Sequence, residues 1–139
     1  KWSIAEVAEH IAAAESLIRG VASKAMEAPA TEELLKGAVK DEMILTMIPN
    51  RSQKFKAPEP LVPINRFATP AATIAEYKKQ RAEAIKLAGG DTDFRKYAAP
   101  HPAFGPLDAY GWLLFLSAHS ERHTLQIEEV KASEGFPKE

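Results

Sequence analysis

Four histidines are the residues of this chain best suited to chemistry. Two of them, His119 and His123, stand four positions apart in His119-Ser120-Glu121-Arg122-His123-Thr124-Leu125-Gln126-Ile127. On an α-helix that spacing stacks both imidazoles on one face, within reach of a single metal ion. A pair does not make a site. His10, on a predicted helix near the start, can supply a third nitrogen if the two helices pack together. Three protein ligands with one or more open positions is the arrangement of catalytic zinc sites, whereas structural sites are closed by four. The open position can lower the pKa of a bound water, or hold a substrate oxygen or thiolate.

Other chemistries find less support. Ser120 follows His119 and Glu121 points away from the histidine face, so the metalloprotease H-E-x-x-H arrangement and its base are missing. Ser117 and Ser120 lack a nucleophile elbow. With no cysteine in the chain, disulfides, thiolate ligands and a cysteine nucleophile are excluded, and any metal must be held by His, Asp or Glu. For His10 taken alone, the plainer reading is a core-edge histidine with a hydrogen-bond partner.

The chain's 139 residues suit one domain with a single core, taken here as 1–139. Its net charge of −1 gives no electrostatic case for nucleic acid or an anionic membrane as partner. The longest wholly apolar run, Trp112 to Leu116, falls far short of the roughly 20 residues of a membrane helix. No signal peptide is visible, so a cytoplasmic protein is expected. The opening Lys1-Trp2-Ser3 has no initiator methionine, which points to residues upstream.

The elements that must position the histidines follow from pattern. Ser3 and Glu6 form a capping box, and Ile4, Val7, Ile11, Ala14, Ile18 and Val21 make an amphipathic helix of about six turns. Glu9 and Glu15 fall mostly off that stripe, while His10 lies near it, beside Ala14 and Leu17. A second, shorter helix is predicted from Thr31 to before Pro49, weakened by Gly37, with Met43 and Met47 as packing residues. The proline-rich stretch 49–68 predicts an ordered loop over the domain, with Arg51, Lys54 and Lys56 solvated.

Thr69-Pro70 starts a third helix on Ile74, Tyr77, Arg81, Ile85 and Leu87, closed by Gly89-Gly90. Arg81, near the apolar face, either meets an acidic group or runs its stem along the surface. A short helical turn is expected within 91–97, and Pro100 to Pro106 has to be irregular. The last helix is predicted from Pro106 to about Ser133. Trp112, Phe115, Leu116, His119, His123, Gln126, Ile127 and Val130 share its core face. Two neutral imidazoles facing a core need partners, and a divalent metal satisfies both at once.

The combined motifs resemble the DinB-like (DinB/YfiT) superfamily. Trp2-Ser3-Ile4-Ala5-Glu6-Val7-Ala8-Glu9-His10 is similar to its W-S-x-x-E-x-x-x-H helix opening. His101-Pro102-Ala103-Phe104-Gly105-Pro106-Leu107 and then His119 to Ile127 resemble its H-P-x-F-G stretch and H-x₃-H helix. Tyr77 to Arg81 and the proline-rich loop resemble the region between. The resemblance implies an all-α, four-helix bundle of up-down-down-up type with a long proline-rich loop and a three-histidine divalent metal site. By position the ligands are His10, His119 and His123, while His101 fixes its loop by hydrogen bonding.

The family's helix before the Trp-Ser motif is absent from this chain. Upstream residues, the Thr31 to Ile48 segment, or another subunit in a homodimer would cover the resulting face.

The resemblance further implies a metal-dependent enzyme of thiol-transferase type, acting with a low-molecular-weight thiol on a small-molecule substrate. Hydrolysis through a metal-bound water is the alternative, and a non-enzymatic metal or small-molecule binding module is the alternative of another class. Gln126, Arg122 and Trp112 are candidates to orient a ligand or meet substrate, Arg122 through an anionic group. Three imidazoles suit zinc or nickel first, then iron or copper.

Overall fold

The structure is a computed structural model and describes residues 2–137. It is mainly helical: α1 (Ile4–Ala25), α2 (Glu32–Lys36), α3 (Asp41–Met47), α4 (Pro70–Ala88) and α5 (Ala109–Lys131). Among the described residues a single antiparallel ribbon, β1 (Ala98–His101) with β2 (Gly105–Asp108), precedes α5. Helix α1 is the axis of the packing, with α5 and α4 docked against it and α3 seated on α5.

The start of α1 follows its sequence signals. Ser3 Oγ accepts from the Glu6 amide, and the Glu6 carboxylate accepts from the Ser3 amide, so two orphan donors of the first turn are satisfied. Val7, Ile11, Ala14 and Ile18 are buried as their spacing requires. Glu9 and Glu15, expected off the stripe, are buried too, because each meets an arginine from another segment. Arg66 reaches Glu9 at 2.9 Å and Arg81 reaches Glu15 at 2.5 Å. Of the two options for Arg81, the acidic partner is the one realised.

The predicted second helix is two. The chain leaves the helix at Gly37 and re-enters at Asp41, and the Val39 amide instead donates to the Pro106 carbonyl. That break lets Ile44 and Ile48 bury against α5, where an added Cβ at Gly111 would stand 3.2 Å from Ile44 Cδ1. Met43 and Met47 stay about half exposed and line an apolar crevice with Phe104 and Phe115.

The third helix has its predicted caps, but its buried face is shifted by one residue. Thr73, Gln80 and Ala84 pack inward, while Ile74 and Ile85 are exposed. Both stripes have helical period, and the smaller residues allow closer approach to α1. Helices α2 and α3 pack on β2 and α5, and so do not cover Ile74 or Ile85.

The Pro100 to Pro106 stretch is not irregular. Pro100 stands opposite Pro106 in the ribbon, and the Pro106 carbonyl points outward to Val39, so the missing proline N–H groups fall where no ladder bond is made. Gly105, at φ +90°, turns the chain into β2. The ribbon delays the last helix from Pro106 to Ala109. Asp108 caps it, its carboxylate accepting from the Gly111 amide at 2.6 Å.

Candidate metal centre

Each ligand candidate arrives on a long helix. His10 lies in the second turn of α1, and His119 and His123 lie one turn apart on α5. The packing of α1 on α5 brings all three imidazoles together. His10 Nε2 is 3.3 Å from His119 Nε2 and 3.1 Å from His123 Nε2. Two nitrogens bound about 2.0–2.1 Å from one tetrahedral ion lie about 3.3–3.4 Å apart, so the spacing is that of a ligand set. His10 and His123 are buried and His119 keeps partial exposure.

The far nitrogens fix where the protons are. His10 Nδ1 lies 2.9 Å from the Leu61 carbonyl, which can only accept, so Nδ1 carries the hydrogen. His123 Nδ1 lies 2.8 Å from Gln126 Oε1. That amide is held oxygen-inward by Arg51, a pure donor whose Nη1 reaches the same Oε1 at 3.3 Å. Both imidazoles therefore turn a bare Nε2 lone pair toward one point.

Protonation does not relieve this. Burial pushes His10 below the usual histidine range. Burial, with His10 nearby, lowers His123 to about 4. Burial and the neighbouring imidazoles hold His119 well below the ordinary value.

The other candidates have different surroundings. Arg122, read as a group for an anion, is buried and spends its guanidinium on the backbone carbonyls of Ile48, Asn50 and Gln53. Those bonds pin the end of α3 and the following loop to α5. Trp112 is buried with Nε1 donating to the Ala99 carbonyl, and it connects to the histidines through Phe115, whose ring lies 5.8 Å from that of His119. His101 stays out of the ligand group, with Nδ1 accepting from the Ala103 amide at 3.1 Å, as its loop-fixing role requires.

Comparison with known proteins agrees with this helix arrangement. The family model of the DinB superfamily matches residues 1–127. The chain belongs to the DinB superfamily. A curated relative, the uncharacterized protein YuaE of Bacillus subtilis (strain 168), is 26% identical over 133 residues, covering 94% of this chain and 78% of that protein. No solved structure gives a significant match. No helix among the described residues is long and apolar enough to cross a membrane.

Apart from Gln126, read from the sequence as a group that could orient a ligand, sequence reasoning missed the groups behind the ligands. Arg51, expected in solvent, is mostly buried and pairs with Glu129 at 2.6 Å as well as with Gln126. The Leu61 carbonyl and the Glu9–Arg66 pair left no signal beyond Glu9 standing next to His10. A backbone carbonyl is invisible to residue-type patterns.

Proposed function

We propose that this DinB superfamily protein binds one divalent metal ion through His10, His119 and His123 and is a metal-dependent enzyme of thiol-transferase type. One observation carries the metal: two buried nitrogens, His10 Nε2 and His123 Nε2, lie 3.1 Å apart, and the acceptors behind both rings place the ring protons on Nδ1. Lone pairs so placed repel unless a cation lies between them, and a divalent ion satisfies both along with His119. Three imidazoles suit zinc or nickel first, with iron or copper as alternatives.

Bound there, the ion would act as a Lewis acid that holds a low-molecular-weight thiol as its thiolate for transfer to a small electrophile. The chain's own residues keep three nitrogens together, with His119 the least buried of the three. Thiol chemistry is favoured over hydrolysis by the state of the neighbouring carboxylates. Glu9 and Glu15 are each held by an arginine, so neither is free to serve as a general base. A thiol, with pKa about 8.5, is already close to ionising at neutral pH and needs no separate base once bound.

Metal analysis of wild type beside His10→Ala and His123→Ala, followed by a thiol-transfer screen, tests the reading. Stoichiometric metal in wild type and its loss in both variants is expected, with turnover of a small electrophile in the presence of a thiol. Metal retained by both variants overturns the triad. Metal loss without thiol activity leaves a binding module.

A further inference from the structure

We propose that the proline-rich loop is a working part of the metal centre: it orients His10 and His123 from behind, so that loop order and metal affinity are linked. The proposal rests on the metal reading above. It is carried by hydrogen bonds from the two ends of the loop to the two ligand helices.

At the far end, residues 60–66 form a clasp on α1. Arg66 donates to the carbonyls of Pro60 at 2.6 Å and Val62 at 2.8 Å, and to Glu9 Oε1 at 2.9 Å. The Ile64 amide adds a bond to the same Glu9 oxygen at 2.7 Å. Asn65, at φ +60°, takes the left-handed conformation that returns Arg66 to Pro60, and asparagine is among the few residues that tolerate it. The clasp closes over Leu61, which buries its side chain in the core and offers its carbonyl to His10 Nδ1. Glu9 and His10 are adjacent on α1, so the residue that holds the loop and the residue that the loop holds are neighbours.

At the near end, Arg51 does the same for α5. Its Nε and Nη2 bind Glu129 at 2.6 and 2.8 Å, while Nη1 bonds Gln126 Oε1, the acceptor for His123 Nδ1. Arg122 secures the backbone on either side of Arg51. Between the two anchors lie the exposed Lys54, Phe55 and Lys56, with Phe55 resting on Phe104. Arg51, Gln126, Arg66 and Glu9 are thus positioning residues that act through His10 and His123.

Linkage makes the coupling reciprocal: if an ordered loop raises metal affinity, metal must order the loop by the same factor. The test uses the full chain. Zinc affinity is measured by competition with a chromophoric chelator for wild type, Arg66→Ala, Gln126→Leu and Gln126→Glu, with helix content checked by circular dichroism. Arg66→Ala and Gln126→Leu are expected to bind about 10- to 100-fold more weakly, the usual effect of losing a group that orients a ligand. Gln126→Glu, which still accepts from Nδ1, is expected to restore affinity. Cobalt-loaded Gln126→Leu should show a shifted visible spectrum, which a merely structural role would not produce. In wild type, zinc should slow tryptic cleavage after Lys54 and Lys56.

A wild type that takes up no zinc overturns the metal reading and the proposal with it. A wild type that binds zinc, with Arg66→Ala and Gln126→Leu at wild-type affinity or cleavage at Lys54 and Lys56 indifferent to zinc, overturns the proposal alone.

Discussion

His10 and His123 present their Nε2 atoms to each other at 3.1 Å, and the groups behind them, the Leu61 carbonyl and Gln126 Oε1, have already taken both ring protons. A core could satisfy two histidines more cheaply by letting one donate to the other. Here both donors are used at the rear, which costs the metal-free protein a repulsion between lone pairs at the front.

That repulsion gives a first prediction. Removing divalent ions with a chelator should lower the melting temperature of wild type, and adding zinc should restore it. At about 100 times the dissociation constant, the stabilisation is about 2.7 kcal/mol. His10→Ala and His123→Ala should not respond to zinc, whereas His101→Ala should respond fully. Differential scanning calorimetry at several zinc concentrations reads all four proteins.

Acid should destabilise the metal-free protein. Burial lowers His10, His119 and His123, with His123 down to about 4, against an unfolded value near 6.5. Between those limits the unfolded chain binds more protons than the folded one, so stability rises with pH. The contribution is complete above about 6.5 and is lost as pH falls toward about 4. Urea unfolding of chelator-treated protein across this range should give a midpoint that falls steadily with acidity. His123→Ala should flatten part of the slope.

Glu15 and Arg81 should be strongly coupled. The Glu15 side chain is 1% exposed and is met by two Arg81 nitrogens, at 2.5 and 2.9 Å, with Ser120 Oγ donating at 2.8 Å. Arg81→Ala strands a buried carboxylate and should cost about 3 kcal/mol. Glu15→Leu combined with Arg81→Met should recover much of that loss, as replacing both members of a buried pair often does. Denaturant midpoints of the singles and the double measure the coupling.

Asp108 joins the ribbon to α5 by capping the helix and by pairing with Arg95 at 2.9 Å. Asp108→Ala should destabilise by about 1–2 kcal/mol, mainly through the lost cap. Asp108→Asn keeps a capping oxygen and loses only a partly exposed ion pair, for which less than about 1 kcal/mol is expected. Thermal unfolding of the two variants separates the terms.

The sequence displays what depends on period and on residue type. The stripe of α1, the caps at Ser3 and Thr69, and the shared face of His119 and His123 were all readable in this way. Misplaced elements share another cause, since each was decided by contacts distant in sequence. The ribbon of β1 and β2 tolerates two prolines that locally look like breakers because they face each other where no ladder bond is made, and the distant Val39 amide takes up the Pro106 carbonyl. Helix α4 packs Thr73, Gln80 and Ala84 against α1 in place of its larger apolar residues, a choice made by the partner helix and not by period. Arg51 and Arg122 looked like surface or substrate-facing groups, yet their partners lie 69 to 78 positions away. The same limit hid Leu61, whose part in the site is played by its backbone.

The imidazoles of His10 and His123 meet across 113 positions of chain, and those of His10 and His119 across 109. Contacts of such separation are the slow ones to form, because a large loop must close before they give anything back. The docking of α1 on α5 should therefore come late on the folding path, with low φ-values for substitutions in that seam. An ion held by His10 together with His119 and His123 would fasten that seam. Its largest kinetic effect should be to slow unfolding, acting as a reversible staple between two helices that the chain itself keeps far apart.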